Sequence, residues 1–161
     1  MSMVGYYRLV DDKELEKLKL NEIDNPTFML SGEDILEIDQ AWHLLHYVLT
    51  GDVDVVPNNP LSLVVLGGTP ANNNNLGYGP LTYLNKAEVQ AAYEALECFL
   101  VEDLREKVSV KEMAQKGVYP VFNEAEDEEE LYEYVLFHLK ELKDFFKKAV
   151  GGGKNSVFLI G

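Results

Sequence analysis

Three stretches of the chain carry apolar residues at three- and four-residue steps, the spacing that gathers side chains on one face of a helix. The first is Ser31 to Gly51, SGEDILEIDQAWHLLHYVLTG. Ser31 reads as an N-cap with acids in the first turn, and Thr50-Gly51 as the stop. Ile35, Ile38, Trp42, Leu45 and Leu49 form its apolar face, which predicts one helix across the whole segment. At about 100° per residue, Asp39, His43, His46 and Thr50 fall in a narrow polar stripe beside that face. Leu36 and Tyr47 flank the stripe. The second stretch opens at Asn85, with Glu88 placed for a capping box, and predicts a helix to about Lys107. Its stripe is Val89, Ala92, Tyr93, Leu96, Leu100 and Leu104. The third buries Leu131, Val135, His138, Leu142, Phe145 and Ala149, and ends at Gly151-Gly152-Gly153. Two shorter helices are predicted over Asp11 to Asn21 and Ser109 to Lys116, the latter stopped by Gly117.

Elsewhere the pattern favours strands and turns. Met3 to Val10 is rich in β-formers, and Ser156 to Ile160 is apolar enough to lie inside a sheet. Val118 to Phe122 contains Pro120 and is predicted as a short edge strand, since proline cannot donate within a sheet. Leu61 to Leu66 fits either a strand or a short buried helix. Asn25-Pro26, the segment DVDVVPNNP after Gly51, and TPANNNNLGYGP are loops or turns, with Tyr78-Gly79-Pro80 the more ordered part of the last. The sum is an α+β fold, a small mixed β-sheet packed against several helices, in a single domain over residues 1–161.

Composition changes this picture in one respect. The 161 residues hold 28 acids against 14 Lys and Arg, a formal net charge of −14. Such a balance disfavours a nucleic-acid backbone or an anionic membrane as partner and favours a basic protein. One cysteine, Cys98, excludes an internal disulfide, and without a signal peptide or a long apolar run the expected location is the cytoplasm.

Candidate chemistry is sparse. The stripe Asp39/His43/His46 admits a structural reading, in which Asp39 accepts from His43 and His46 satisfies a backbone carbonyl. It also admits a site, with an imidazole oriented by a carboxylate as base or metal ligand. The structural reading is preferred, because His-x-x-His alone does not complete a zinc set. Asp52 and Asp54 lack the spacing and glycine of a calcium loop, and the asparagine-rich loop lacks the lysine and glycines of a phosphate cradle. Cys98 points away from its helix's apolar stripe with no basic neighbour, and His138 lies mid-stripe as a core histidine. The acid run at Glu124 to Glu133 crowds the start of the last helix, with Lys140, Lys143, Lys147 and Lys148 toward its end. This matches the helix dipole and also forms an acidic patch. No catalytic motif is recognisable, and no metal or cofactor is expected.

Taken in order, MVGYYRLV, Asp39-x-x-Trp42-x-x-Leu45-His46-x-x-Leu49-Thr50-Gly51, Pro60-Leu61 through Leu66-Gly67-Gly68, Gly77-Tyr78-Gly79-Pro80-x-x-Tyr83-Leu84 and Tyr119-Pro120 resemble the YfbM-like bacterial proteins, a family of unknown function. The likeness covers nearly the whole chain. In that family a tryptophan often follows the Tyr-Pro pair, where this chain has Val121-Phe122. The resemblance implies an α+β fold with a small mixed sheet and brings no activity or catalytic residues.

Two functions from different classes fit these residues. One is a non-catalytic binding module, of the immunity type, that meets a basic toxin or nuclease through an acidic face. The alternative is a small-molecule-binding protein or small enzyme with a pocket where Trp42 and His46 meet Tyr78 and Tyr119.

Overall fold

The computed structural model describes residues 2–23, 28–74 and 77–161. The predicted turn at Asn25-Pro26 and the last asparagine of the Asn72–Asn75 run lie outside the described residues. Strand β1 (Gly5–Val10) leads into helix α1 (Asp12–Lys19), whose N-cap Asp11 forms a full capping box with Glu14. A three-residue strand, β2 (Ile35–Glu37), precedes a 3-10 turn over Asp39–Ala41 and helix α2 (Trp42–Thr50). A further 3-10 segment (Pro60–Val64) is followed by β3 (Thr69–Pro70) and β4 (Thr82–Leu84). Helices α3 (Lys86–Cys98), α4 (Leu104–Lys107), α5 (Val110–Lys116) and α6 (Glu128–Gly151) then lead to the final strand, β5 (Asn155–Ile160).

The α+β class is as predicted, but the sheet is not mixed: its order is β2-β1-β5-β4-β3 and each pairing is antiparallel. The apolar terminal strand β5 sits between β1 and β4. Alternation along β1 and β5 divides the core in two. Tyr7, Leu9 and Phe158 face the larger cluster with α2, α3 and α6. Val10, Val157 and Leu159 face a smaller one closed by Leu15, Leu18, Met29, Ala71 and Leu81. On this second face the Arg8 guanidinium lies 3.7 Å over the Phe28 ring and donates to the carbonyls of Phe28 and Ser31, holding the chain that enters β2.

The predicted helix from Ser31 to Gly51 is half right. Gly51 caps α2 in the left-handed conformation (φ 79°), as expected. The first half is instead a strand edge, because Ile35–Glu37 pairs with β1 and Gly32, Asp34 and Asp39 take positive φ, which no helix accommodates. Ile35 and Ile38 kept a helical spacing by coincidence, since three residues of strand are too few to show alternation.

Three other expectations shift. The long helix from Asn85 keeps its capping box but breaks at Phe99, which turns inward while Leu100 is 56% exposed. The Phe99 carbonyl there accepts from the Lys143 ammonium at 2.9 Å. The predicted edge strand Val118 to Phe122 is a turn containing a cis Tyr119-Pro120 bond, with Val121 N–H donating to the Val118 carbonyl at 2.9 Å. Leu61 to Leu66 resolves as the 3-10 segment, begun by the Asn59 side chain accepting from Leu61 N–H. Gly67 must be glycine, since a Cβ there would stand 2.5 Å from the Ser62 carbonyl oxygen.

Candidate functional site

The rings singled out in the sequence meet at the start of α2. Because the 3-10 turn delivers Trp42 into the first turn of α2, its indole N–H reaches the Met3 carbonyl at 2.9 Å. The Met3 N–H donates to the Tyr119 hydroxyl, and the Tyr119 N–H donates to His43 Nδ1, both at 2.9 Å. Tyr119 stacks on Trp42 at 5.5 Å with 24° between planes, and His43 stacks beside it at 5.2 Å and 20°. These contacts tie the lead into β1, helix α2 and the turn after α5 into one knot. Trp42 is only 8% exposed within it.

The hydrogen bonds fix His43's tautomer. Nδ1 accepts from an amide, so the ring proton is on Nε2, which donates to the Val53 carbonyl at 3.0 Å. One turn later His46 is fully buried and donates from Nε2 to the Asp54 carbonyl at 2.7 Å. Burial pushes its pKa below the ordinary value, and its Nδ1 has no hydrogen-bond partner among the described residues. Thr50 closes α2 by donating from its hydroxyl to the His46 carbonyl at 2.8 Å. Both histidines thus anchor the loop after α2.

Asp39 stands apart from this row. It lies on the 3-10 turn at φ 49°, exposed, and its carboxylate accepts from the Tyr134 hydroxyl at 2.8 Å rather than from His43. Tyr134 in turn accepts from the Gln40 N–H at 3.0 Å. Burial, then the Asp39 carboxylate, pushes the Tyr134 phenol up. Tyr78 belongs to the loop between β3 and β4, whose flanks Ala71 and Leu81 pack on the opposite face of the sheet from Trp42. The structure therefore joins Trp42, His43 and Tyr119, sets His46 and Thr50 one to two turns along, and separates Asp39 and Tyr78.

Tyr134 is the residue the sequence reading passed over. Its signal was an aromatic one turn from Leu131 and His138, at the edge of the apolar stripe of α6, where it packs against the core and is only partly buried. With Asp39, Pro120, Glu126, Asp127 and Glu130 it lines an open groove between the 3-10 turn and the start of α6. Of the groove's acids, Asp39, Glu126 and Asp127 are held by neutral donors. Glu126 accepts from Phe122 N–H at 3.1 Å, and Asp127 caps α6 by accepting from Glu130 N–H at 3.1 Å. Neutral donors orient these carboxylates without cancelling their charge. Arg105, beside the start of α6, is engaged with Glu129. Among the described residues no group of three or more His, Cys, Asp or Glu is placed to hold a metal ion, and no helix is long and apolar enough to cross a membrane.

Protein YfbM of Escherichia coli (strain K12) is 28% identical over 167 residues, covering 99% of this chain and 99% of its own. The crystal structure of YfbM from Escherichia coli, titled as a protein of unknown function, superposes with a TM-score of 0.76 over 99% of this chain and 100% of that one. The expected likeness to the YfbM-like proteins is thereby shown. Since the model of DUF1877, a domain of unknown function, matches residues 1–159, the chain belongs to the DUF1877 family.

Proposed function

We propose that this protein is a non-catalytic binding module, of the immunity type, that docks a basic protein on its acidic face. The carrying observation is the groove of Asp39, Glu126, Asp127 and Glu130: hydroxyl and amide donors position the first three carboxylates, and among the described residues none of the four is in an ion pair. With a net charge of −14 behind it, such a face steers a basic partner during encounter and loses that advantage as salt screens the field. Tyr134 and the 79%-exposed Phe122 add aromatic surface beside the acids, the kind of contact that anchors an interface. A ligand pocket on Trp42 draws less support, because Tyr119 and His43 stack on the indole and its N–H is taken by Met3.

Capture from the protein's own cells at low and high ionic strength tests the reading, with wild type beside the triple variant Asp39→Asn, Glu126→Gln, Glu130→Gln. A basic protein retained by wild type at low salt, released by high salt and missed by the variant is the expected result. Equal retention by the variant, or recovery of no basic protein, overturns it.

A further inference from the structure

The two edges of the sheet are finished differently. The outer strand at one side, β3, has two residues, and Pro70 has no N–H to offer a neighbour. The outer strand at the other side, β2, has no such block. Its register with β1 pairs Tyr7 with Leu36, while Leu9 N–H donates to the Asp34 carbonyl and Ile38 N–H to the Gly5 carbonyl. Antiparallel alternation then turns the N–H and C=O of Ile35 and Glu37 away from β1. No described residue bonds to them.

Beside this open edge runs a depression lined by Leu9, Leu36 and Phe145, with Glu141 and Asp144 of α6 at its rim. Glu33, Glu37 and Asp39 stand exposed along the same segment, and Lys148, which lines the depression, is already held by Asp34 at 2.5 Å. An apolar floor with carboxylates above it suits a side chain with an aliphatic stem and a cationic head.

We propose that β2 is a docking edge for an extended basic segment of a partner protein, which adds as a sixth strand through the outward groups of Ile35 and Glu37. Alternate side chains of the added strand, lysine or arginine, enter the depression toward Glu141 and Asp144. Main-chain bonding supplies the affinity and the acid-rimmed depression the choice of residue. A second copy of this chain is the wrong occupant by charge, because it would bring the same acids face to face. The proposal rests on the basic-partner reading above and names the form that partner takes.

The test uses the full chain and a capped peptide of alternating lysine and valine, with the glutamate–valine counterpart as control. Amide exchange by NMR is expected to show Ile35 and Glu37 protected on adding the basic peptide, and not the acidic one. Glu37→Pro removes a donor that no native bond uses, and the extended Leu36 before it tolerates proline. It is expected to weaken binding by about five- to tenfold, against about twofold for Glu37→Gln, which removes the charge alone. If Glu37→Pro fails to fold, the wild-type protection pattern decides. Binding with protection confined to the groove of Glu126 and Glu130, or unchanged in folded Glu37→Pro, overturns the edge while leaving the basic-partner reading intact. Concentration-dependent protection without peptide overturns it in favour of a second copy. No binding at low salt overturns it also, and the capture of a folded basic protein then decides the broader reading separately.

Discussion

Around Trp42 the indole N–H, the Met3 amide and both nitrogens of His43 find partners within the protein, whereas the acids facing them across the 3-10 turn keep their charge outward. The two regions share a border, since Asp39 and Trp42 are three residues apart and Pro120 follows Tyr119. Their difference lies in the partners. Neutral rings and amides saturate one another and become part of the core, where each unmade bond would carry a desolvation cost. Carboxylates held by neutral donors are oriented but not neutralised, so their remaining interaction is available to something outside. Polar groups of the first kind stabilise this fold, and those of the second give it a surface to bind with.

The contrast predicts a graded set of effects. Trp42→Ala should be the most damaging change, costing about 3–5 kcal/mol in chemical denaturation, because it empties a buried site and leaves the Met3 carbonyl without its donor. His43→Ala should cost about 1–3 kcal/mol by the same assay, since the Tyr119 N–H and the Val53 carbonyl both lose a partner. Tyr134→Phe, at the border, should cost about 0.5–1.5 kcal/mol and free the Asp39 carboxylate.

The sequence showed the helical repeats, the caps at Asn85 and Gly51, the N-terminal strand and the interior position of the last strand. Those features rest on local chemistry or on long repeats. It also put Trp42 and His43 on one helix and marked Tyr119 beside a proline. What it did not show is the strand in Ile35–Glu37, which exists because β1 is there to pair with it and is too short to carry a period of its own. The break at Phe99 has no glycine or proline to announce it and depends on Lys143 arriving from α6. Asp39 appeared one helical turn from His43 only because the turn was assumed helical, and at φ 49° it points instead to Tyr134, ninety-odd residues along the chain.

Two smaller effects sharpen the comparison. His46 is neutral and buried with a depressed pKa, while in the unfolded chain it titrates near 6.5. Below that pH the unfolded state binds a proton that the folded state refuses, so stability is full above about 6.5 and falls as pH drops toward the folded value. Urea midpoints followed downward in pH should decline less steeply in His46→Gln, which keeps a donor for the Asp54 carbonyl and does not titrate. At the acidic face Glu130→Gln should move stability by no more than about 0.5 kcal/mol, yet weaken capture of a basic partner at low salt. A large loss of stability there would place the acids in the fold rather than in recognition.

The sealed state of the knot is open to a direct reading, because Trp42 is the chain's single tryptophan. Acrylamide quenching of its fluorescence in the folded protein should be weak, rising to that of a free indole only on unfolding. Strong quenching under native conditions would mean that the indole is open to solvent and to ligands, and would contradict the division between a closed aromatic knot and an open acidic face.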